Sequence, residues 1–247
     1  MALLWSLVVV DLLIVISTIA FGAVSVVVTL FDTTGDTGVA LARRWARTML
    51  WYARVRVDVE EIGKLQGISH CVLCSNHLSY MDTPVVLSSI PLRFRFLAKS
   101  GLFKIPFMGT HLRQAGHIPV PLEDPRAAVR TLTRAAETIR ARGISLLVFP
   151  EGGRSEDGVL QPFKEGAAYI AIKAQVPLVP ITLIGTREVL PMHGMVFRPG
   201  RVRVCIGEPI STVGRTLKDR EALTAEAFRQ VTEMLASRPA DVARQAV

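Results

Sequence analysis

Hydrophobic positions fall along this chain in three rhythms. The first is continuous. "LLIVISTIAFGAVSVVVTLF", Leu12 to Phe31, runs for twenty residues without a charge, and ten earlier residues are apolar apart from Ser6. Twenty helical residues reach about 30 Å, the hydrocarbon thickness of a bilayer. No Lys or Arg precedes Arg43, so the positive flank of a cleaved signal peptide is missing. The run predicts an uncleaved membrane anchor, either spanning or turning back near Gly22. A buried core helix is the competing reading, weakened because the run is apolar on every side.

The second rhythm has a period of two. Val55, Val57 and Val59 alternate with charged residues, and "RVRVCIG" from Arg201 to Gly207 alternates again, as half-buried strands do. Cys71 to Ser75, "ISLLVF" (Ile144 to Phe149) and "PLVPITLI" (Pro177 to Ile184) are short continuous apolar runs, the mark of strands buried on both faces. The third rhythm is helical, over Pro84 to Ile90, Pro125 to Arg142, Lys164 to Ala174, and about Leu217 to Ser237 before Pro239. Strand and helix in succession predict an α/β fold, a mostly parallel sheet covered by helices and preceded by an N-terminal membrane-associated helical element. The expected organisation is an anchor and interfacial helix over 1–54, an α/β domain over 55–239, and a frayed tail over 240–247.

Charge refines this picture. Arg43, Arg44, Arg47, Arg54 and Arg56 all follow the anchor, which by the positive-inside rule leaves the bulk of the chain on the cytoplasmic side. Val39 to Tyr52 mixes those arginines with Trp45 and Trp51, suiting a helix in the membrane interface, although a helix packed on its own domain has the same composition. Net charge is +8. Between Asp82 and Glu123 no acidic residue occurs, while Arg93, Arg95, Lys99, Lys104 and Arg113 alternate with Phe94, Phe96, Phe103 and Phe107. Without a nucleic-acid motif beside it, this reads as a basic aromatic surface for anionic lipid and not for nucleic acid. "HCVLCSNH" has C-x-x-C spacing at Cys71 and Cys74, but the one further cysteine, Cys205, stands alone, so no zinc or redox site is expected.

The chemistry lies in two stretches at strand ends. In "SNHLSYMDTP" His77 and Asp82 are five residues apart, a spacing that one unbroken helix would turn off a common face. A turn between them lets Asp82 accept from His77 Nδ1–H and leaves Nε2 free to take a proton. Ser79 and Asp82 also match a capping box, so Asp82 has a purely structural reading as well. In "FPEGGRS", Phe149 to Ser155, Gly152 and Gly153 let backbone N–H groups approach an anion, Arg154 can grip phosphate oxygens with two prongs, and Glu151 can orient that arginine. The alternative there is a solvated polar turn.

Taken together, the order of these stretches resembles the glycerolipid acyltransferase family, in particular its 1-acyl-sn-glycerol-3-phosphate acyltransferases. Asn76, His77 and Asp82 match the family's Asn-His-x4-Asp block. Lys99, Lys104, Pro106, Gly109 and Gly116 fall as its second block does. Phe149 to Ser155 match Phe-Pro-Glu-Gly-Thr-Arg-Ser, with Gly153 in place of threonine, and Val176 to Pro180 match Val-Pro-x-Val-Pro. The resemblance covers roughly residues 55–210. It departs at Leu122, where the family usually carries an arginine; Arg126 is near enough to substitute, or Lys99 and Arg154 hold the phosphate without it.

The resemblance implies acyl transfer from acyl-CoA or acyl carrier protein to the free hydroxyl of 1-acyl-sn-glycerol-3-phosphate (lysophosphatidic acid), giving phosphatidic acid. It implies His77 and Asp82 as catalytic residues, with Asn76, Lys99, Lys104, Glu151, Gly152 and Arg154 binding substrate. Neither cofactor nor metal is implied. Other expectations compatible with the motifs are a different lysolipid acceptor, a phospholipid-remodelling transacylase, or a non-catalytic protein that binds anionic lipid. No G-x-S-x-G elbow and no Walker A pattern occurs, which argues against a serine hydrolase and a P-loop site.

Overall fold

The computed structural model describes residues 9–29, 31–32 and 34–237. The expected tail over 240–247 and its preceding Pro239 lie outside these residues. Among those described, seven strands form one sheet in the order β1-β7-β6-β2-β5-β3-β4. They are β1 (Val55–Glu60), β2 (Val72–Ser75), β3 (Phe94–Lys99), β4 (Ile118–Val120), β5 (Ser145–Val148), β6 (Leu178–Ile184) and β7 (Gly200–Ile206). Every neighbouring pair is parallel except β6 and β7. β7 runs back along β6 after a connection, residues 185–199, whose one helix is a single short turn. Pro180 sits inside β6, opposite Cys74, but the β7 ladder begins one residue later, at Ile181, so its missing N–H breaks no bond on that side.

Helices cover both faces. Helix α1 (Asp11–Thr29), α2 (Asp36–Tyr52) and α3 (Asp82–Ser89) precede β3; α4 (Met108–Gln114) and α5 (Pro125–Arg142) flank β4; α6 (Gly166–Ala174) precedes β6, α7 (Thr186–Val189) follows it, and α8 (Arg220–Ala236) closes the fold. One face of the sheet buries Cys71, Leu73, Phe94, Phe96 and Leu147 against Ala46, Met49 and Leu50 of α2 and Val85 and Val86 of α3. The other buries Val72, Cys74, Leu146 and Val148 against Ala135 and Ile139 of α5, Ala167 and Ile170 of α6, and Leu223 and Ala227 of α8. Cys71 and Cys74 therefore serve opposite cores, as residues three apart on a strand must. Burial pushes the Cys71 thiol up to about 12.

The stretch from Arg93 to Arg113 is not one basic surface. Phe94–Lys99 forms β3, whose alternation buries Phe94 and Phe96 on one face, and Arg95 is also wholly buried. The Arg95 guanidinium donates to Asp36 Oδ1 at 2.7 Å and to the Thr34 carbonyl at 3.2 Å, and Arg93 reaches the same Asp36 carboxylate. A sequence window cannot see that a carboxylate 59 residues earlier supplies the counter-charge. In α2, Arg43 is likewise spent on the fold, donating to the carbonyls of Ile90 and Leu92 at 2.6 Å each. The core thus runs across residue 54, with α2 packed on the sheet and Trp51 alone of its tryptophans strongly exposed, at 74%.

Helix α1 is different in kind. Its window Asp11–Val28 has a mean hydropathy of 2.3 with 17% buried, so it is long and apolar enough to cross a membrane. Val10, Ile14, Ser17 and Ser25 face the protein, while Leu12, Val15, Ile16, Ile19, Val24 and Val27 stay exposed. Trp45 Nε1 donates to Thr18 Oγ1 at 3.0 Å, and Ser25 Oγ lies 2.5 Å from His111 Nδ1, fastening α1 to α2 and α4.

Candidate active site

The parallel strands β2, β3, β5 and β6 all end at the same edge of the sheet, the place where α/β folds bind ligands. The chain leaving β2 turns through residues 76–81 before α3 begins at Asp82. That turn returns His77 over the helix start, and its Nδ1–H donates to Asp82 Oδ2 at 2.7 Å. The same oxygen accepts from the backbone N–H groups of Leu78 at 2.7 Å and Ser79 at 2.9 Å. Ser79 Oγ in return accepts from Met81 N–H at 3.0 Å and donates to the Leu190 carbonyl at 2.7 Å. The expected capping box does not form, since α3 starts at Asp82 with Met81 at its N-cap and no side-chain cap bond. The backbone N–H groups of the turn instead hold the carboxylate where the imidazole meets it.

His77 is 8% exposed and Asp82 is wholly buried. The imidazole stacks on the Phe149 ring with centroids 3.8 Å apart and planes at 11°. Burial holds His77 below its usual value of 6.5, outweighing the pull of Asp82, and the Arg154 charge pushes the same way. The ring is thus neutral at physiological pH, with its second nitrogen able to accept a proton.

The loop leaving β5 is tied to this turn by Glu151. Its Oε1 accepts the His77 backbone N–H at 2.6 Å and its Oε2 accepts the Gln161 N–H at 2.8 Å. Burial pushes its carboxyl up to about 7, against those two donors and helped by the nearby Asp82 charge. Both Glu151 oxygens are engaged by backbone, so the expected pairing with Arg154 does not form. Arg154 instead lies over the Tyr80 ring, 4.2 Å from its centroid, and donates from Nε to the Ser79 carbonyl at 3.3 Å. Among the described residues its outer guanidinium nitrogens make no hydrogen bond and are left for another partner. Gly152 sits at φ +82, and a Cβ there would come within 2.5 Å of Lys164 Nζ, so this ammonium rests directly over the loop.

Asn76 is fully buried. Its Nδ2 donates to the Leu183 carbonyl at 2.9 Å, and its Oδ1 accepts the Leu183 N–H at 2.8 Å. The side chain mimics a strand bond to β6, so the expectation that Asn76 touches substrate is corrected: its amide is spent on holding the strand ends in register. Six of the eight expected residues, Asn76, His77, Asp82, Glu151, Gly152 and Arg154, converge on one cluster. Lys99 ends β3 nearby, but its ammonium meets Glu123 at 3.1 Å, and Lys104 ends a short 3₁₀ turn on the surface. No hydrogen bond or ion pair joins either lysine to the cluster among the described residues. Sequence reasoning missed the stacking role of Phe149, the overlying Lys164, and Arg187, which reaches the loop from α7. Only Phe149 stood inside a recognised motif.

The model of the acyltransferase family matches residues 56–184. A chloroplastic 1-acyl-sn-glycerol-3-phosphate acyltransferase of Brassica napus is 39% identical over 172 residues, 69% of this chain and 49% of that protein. The human 1-acyl-sn-glycerol-3-phosphate acyltransferase beta is 29% identical over 185 residues, 75% of this chain and 66% of its own length. The crystal structure of the lysophosphatidic acid acyltransferase PlsC from Thermotoga maritima superposes with a TM-score of 0.74 at 26% identity, covering 93% of this chain and 96% of that one. The chain spans about half the length of the curated plant relatives it matches.

Proposed function

Because the chain belongs to the acyltransferase family, we propose that it transfers an acyl group from a thioester, acyl-CoA or acyl carrier protein, to the free hydroxyl of 1-acyl-sn-glycerol-3-phosphate, giving phosphatidic acid. The observation that carries this reading is the His77–Asp82 pair, 2.7 Å apart at the carboxyl ends of the parallel strands with Arg154 beside it. His77 Nε2 takes the proton of the acceptor hydroxyl as its oxygen attacks the thioester carbonyl. Asp82 fixes the tautomer and stabilises the imidazolium that forms. The tetrahedral intermediate collapses with loss of thiolate, to which the imidazolium returns the proton. The thioester brings its own activation, so no cofactor is required, and no covalent acyl-enzyme forms.

Arg154 presents its free guanidinium nitrogens to the acceptor phosphate, with Lys99 and Lys104 adding positive potential from the β3 side. The ammonium of Lys164 over Gly152, with no ion pair among the described residues, strengthens that field. The exposed apolar face of α1 supports its insertion in the bilayer that holds acceptor and product, and Arg44, Arg47, Arg54 and Arg56 after it support a cytoplasmic side for the sheet, beside anionic lipid.

The test is mass spectrometry of products from the purified chain, given a panel of lysolipids with acyl-CoA or acyl carrier protein as donor. The expected outcome is phosphatidic acid from lysophosphatidic acid, abolished in His77→Ala. Acylation confined to another lysolipid would move the acceptor assignment, and no acylation with either donor would sink the enzyme reading.

A further inference from the structure

Arg187 lies three residues beyond the last residue of the family match, on the short helix α7. The turn into α7 is fixed by Gly185 at φ +95, where a Cβ would meet the Arg201 carbonyl oxygen at 2.5 Å. From there the Arg187 guanidinium crosses to the loop after Arg154. Its Nη1 donates to the Ser155 carbonyl at 3.2 Å and its Nη2 to the Glu156 carbonyl at 2.7 Å. Gly158, at φ +83, closes over it: a Cβ there would come within 3.0 Å of Arg187 Cδ and Nε. The loop locks itself around the same point, with Ser155 Oγ donating to Asp157 Oδ1 at 2.7 Å and accepting the Gly158 N–H at 3.1 Å. Ser155 N–H in turn donates to the His77 carbonyl at 2.9 Å.

These contacts have a direction. Two carbonyls that follow Arg154 are clamped from α7, which directly follows β6, the strand that also holds Asn76, while Ser155 ties the same segment to the histidine turn. Among the described residues Arg154 is otherwise held by the Tyr80 ring and by one hydrogen bond, to the Ser79 carbonyl, long at 3.3 Å. We infer that Arg187 is a positioning residue for acceptor recognition: by clamping the Ser155 and Glu156 carbonyls it sets where the Arg154 guanidinium meets the acceptor phosphate. This rests on the reading of Arg154 as the phosphate-binding arginine. A lysine at 187 reaches one carbonyl and cannot fill the Gly158 cradle with a planar group, and a methionine reaches neither.

The experiment is binding of 1-oleoyl-sn-glycerol 3-phosphate to the full chain in neutral detergent micelles, with no acyl donor present. It compares wild type, Arg187→Met, Arg187→Lys, Arg154→Met and the Arg187→Met/Arg154→Met double variant. Displacing a binding group by about an ångström is costly, so the dissociation constant should rise roughly tenfold for Arg187→Met and about threefold for Arg187→Lys. Arg187→Met should add almost nothing on the Arg154→Met background, because both act through one guanidinium. Unchanged affinity in a folded Arg187→Met, with only its thermal midpoint lowered, would overturn the inference. So would an undiminished loss on the Arg154→Met background. If Arg187→Met fails to fold, Arg187→Lys carries the same comparison alone and with Arg154→Met. Unchanged affinity in Arg154→Met itself would sink the phosphate reading and this role of Arg187 together, whereas normal binding in Arg187→Met beside a weakened Arg154→Met sinks the role alone.

Discussion

At the scale of single residues, Asp82 does two jobs with one oxygen, accepting from His77 Nδ1 and from two backbone N–H groups. Asp82→Asn retains an acceptor oxygen for the turn's backbone N–H groups but loses the charge that would stabilise an imidazolium. It should fold by circular dichroism and still lose turnover. His77→Ala should lose more, on the order of 10²–10⁴-fold, and the double variant should be little worse than His77→Ala alone, since the two act as a unit. Multiplicative losses would mean independent roles. Burial depresses His77 below 6.5, so the base stays unprotonated as pH falls through 6.5, and the acid limb of the rate profile should lie lower than that of a free imidazole. Glu151 titrates the other way. Its carboxyl is raised from 4.5 to about 7, so the folded state holds the proton that the unfolded state releases. That contribution to stability is full below 4.5 and is lost as pH rises through about 7. Thermal midpoints across this window should fall more for wild type than for Glu151→Gln; parallel curves would refute the assignment.

Among the elements, the chemistry depends on how strand ends are joined. Asn76 spends both ends of its amide on Leu183 of β6. Asn76→Ala leaves a buried N–H and a buried carbonyl without partners, which should cost about 1–3 kcal/mol of unfolding free energy by denaturant titration. Unchanged stability with weaker acceptor binding would instead make Asn76 a substrate contact. The local pattern read α5 fully, with Asp124 capping its start and Gly143 at φ 56 ending it, because an N-cap acceptor, a first-turn proline and a C-terminal glycine all lie within the chain segment itself. β3 and β4 escaped notice. β3 carries a buried arginine whose partner is distant, and β4 is three residues long, too short to show a period.

For the whole molecule, the exposed apolar stripe on α1 contrasts with the buried sheet beneath α2, and the proposed anchor role is tested on that stripe. Ile16 and Ile19 are 53% and 67% exposed, so charges there leave the protein core untouched but are expensive in hydrocarbon. Ile16→Asp with Ile19→Asp, at about 3 kcal/mol each in a bilayer, should shift the protein toward the soluble fraction and lower activity on vesicle-borne acceptor. Activity on detergent-dispersed acceptor should survive. Full membrane retention in carbonate and high salt would contradict an α1 anchor. Truncation is a poorer test if it removes Asp36, because that leaves the buried Arg95 without its counter-charge.

What the sequence determined by itself was everything set within a few residues of chain. The charge-free run from Leu12 to Phe31, the alternation of β1 and β7, the caps of α5, and the signature stretches carrying His77, Asp82 and Arg154 all follow from local sterics, periodicity and side-chain chemistry. The tertiary structure decided what depends on which segment arrives alongside. It turned β7 antiparallel, paired Arg95 with Asp36 inside the protein, spent Asn76 and Glu151 on backbone groups, and brought Arg187 of α7 onto the loop that carries Arg154. Those outcomes rest on hydrogen bonds and counter-charges between residues 10 to 107 positions apart, and a donor's need for an acceptor does not specify which one will meet it.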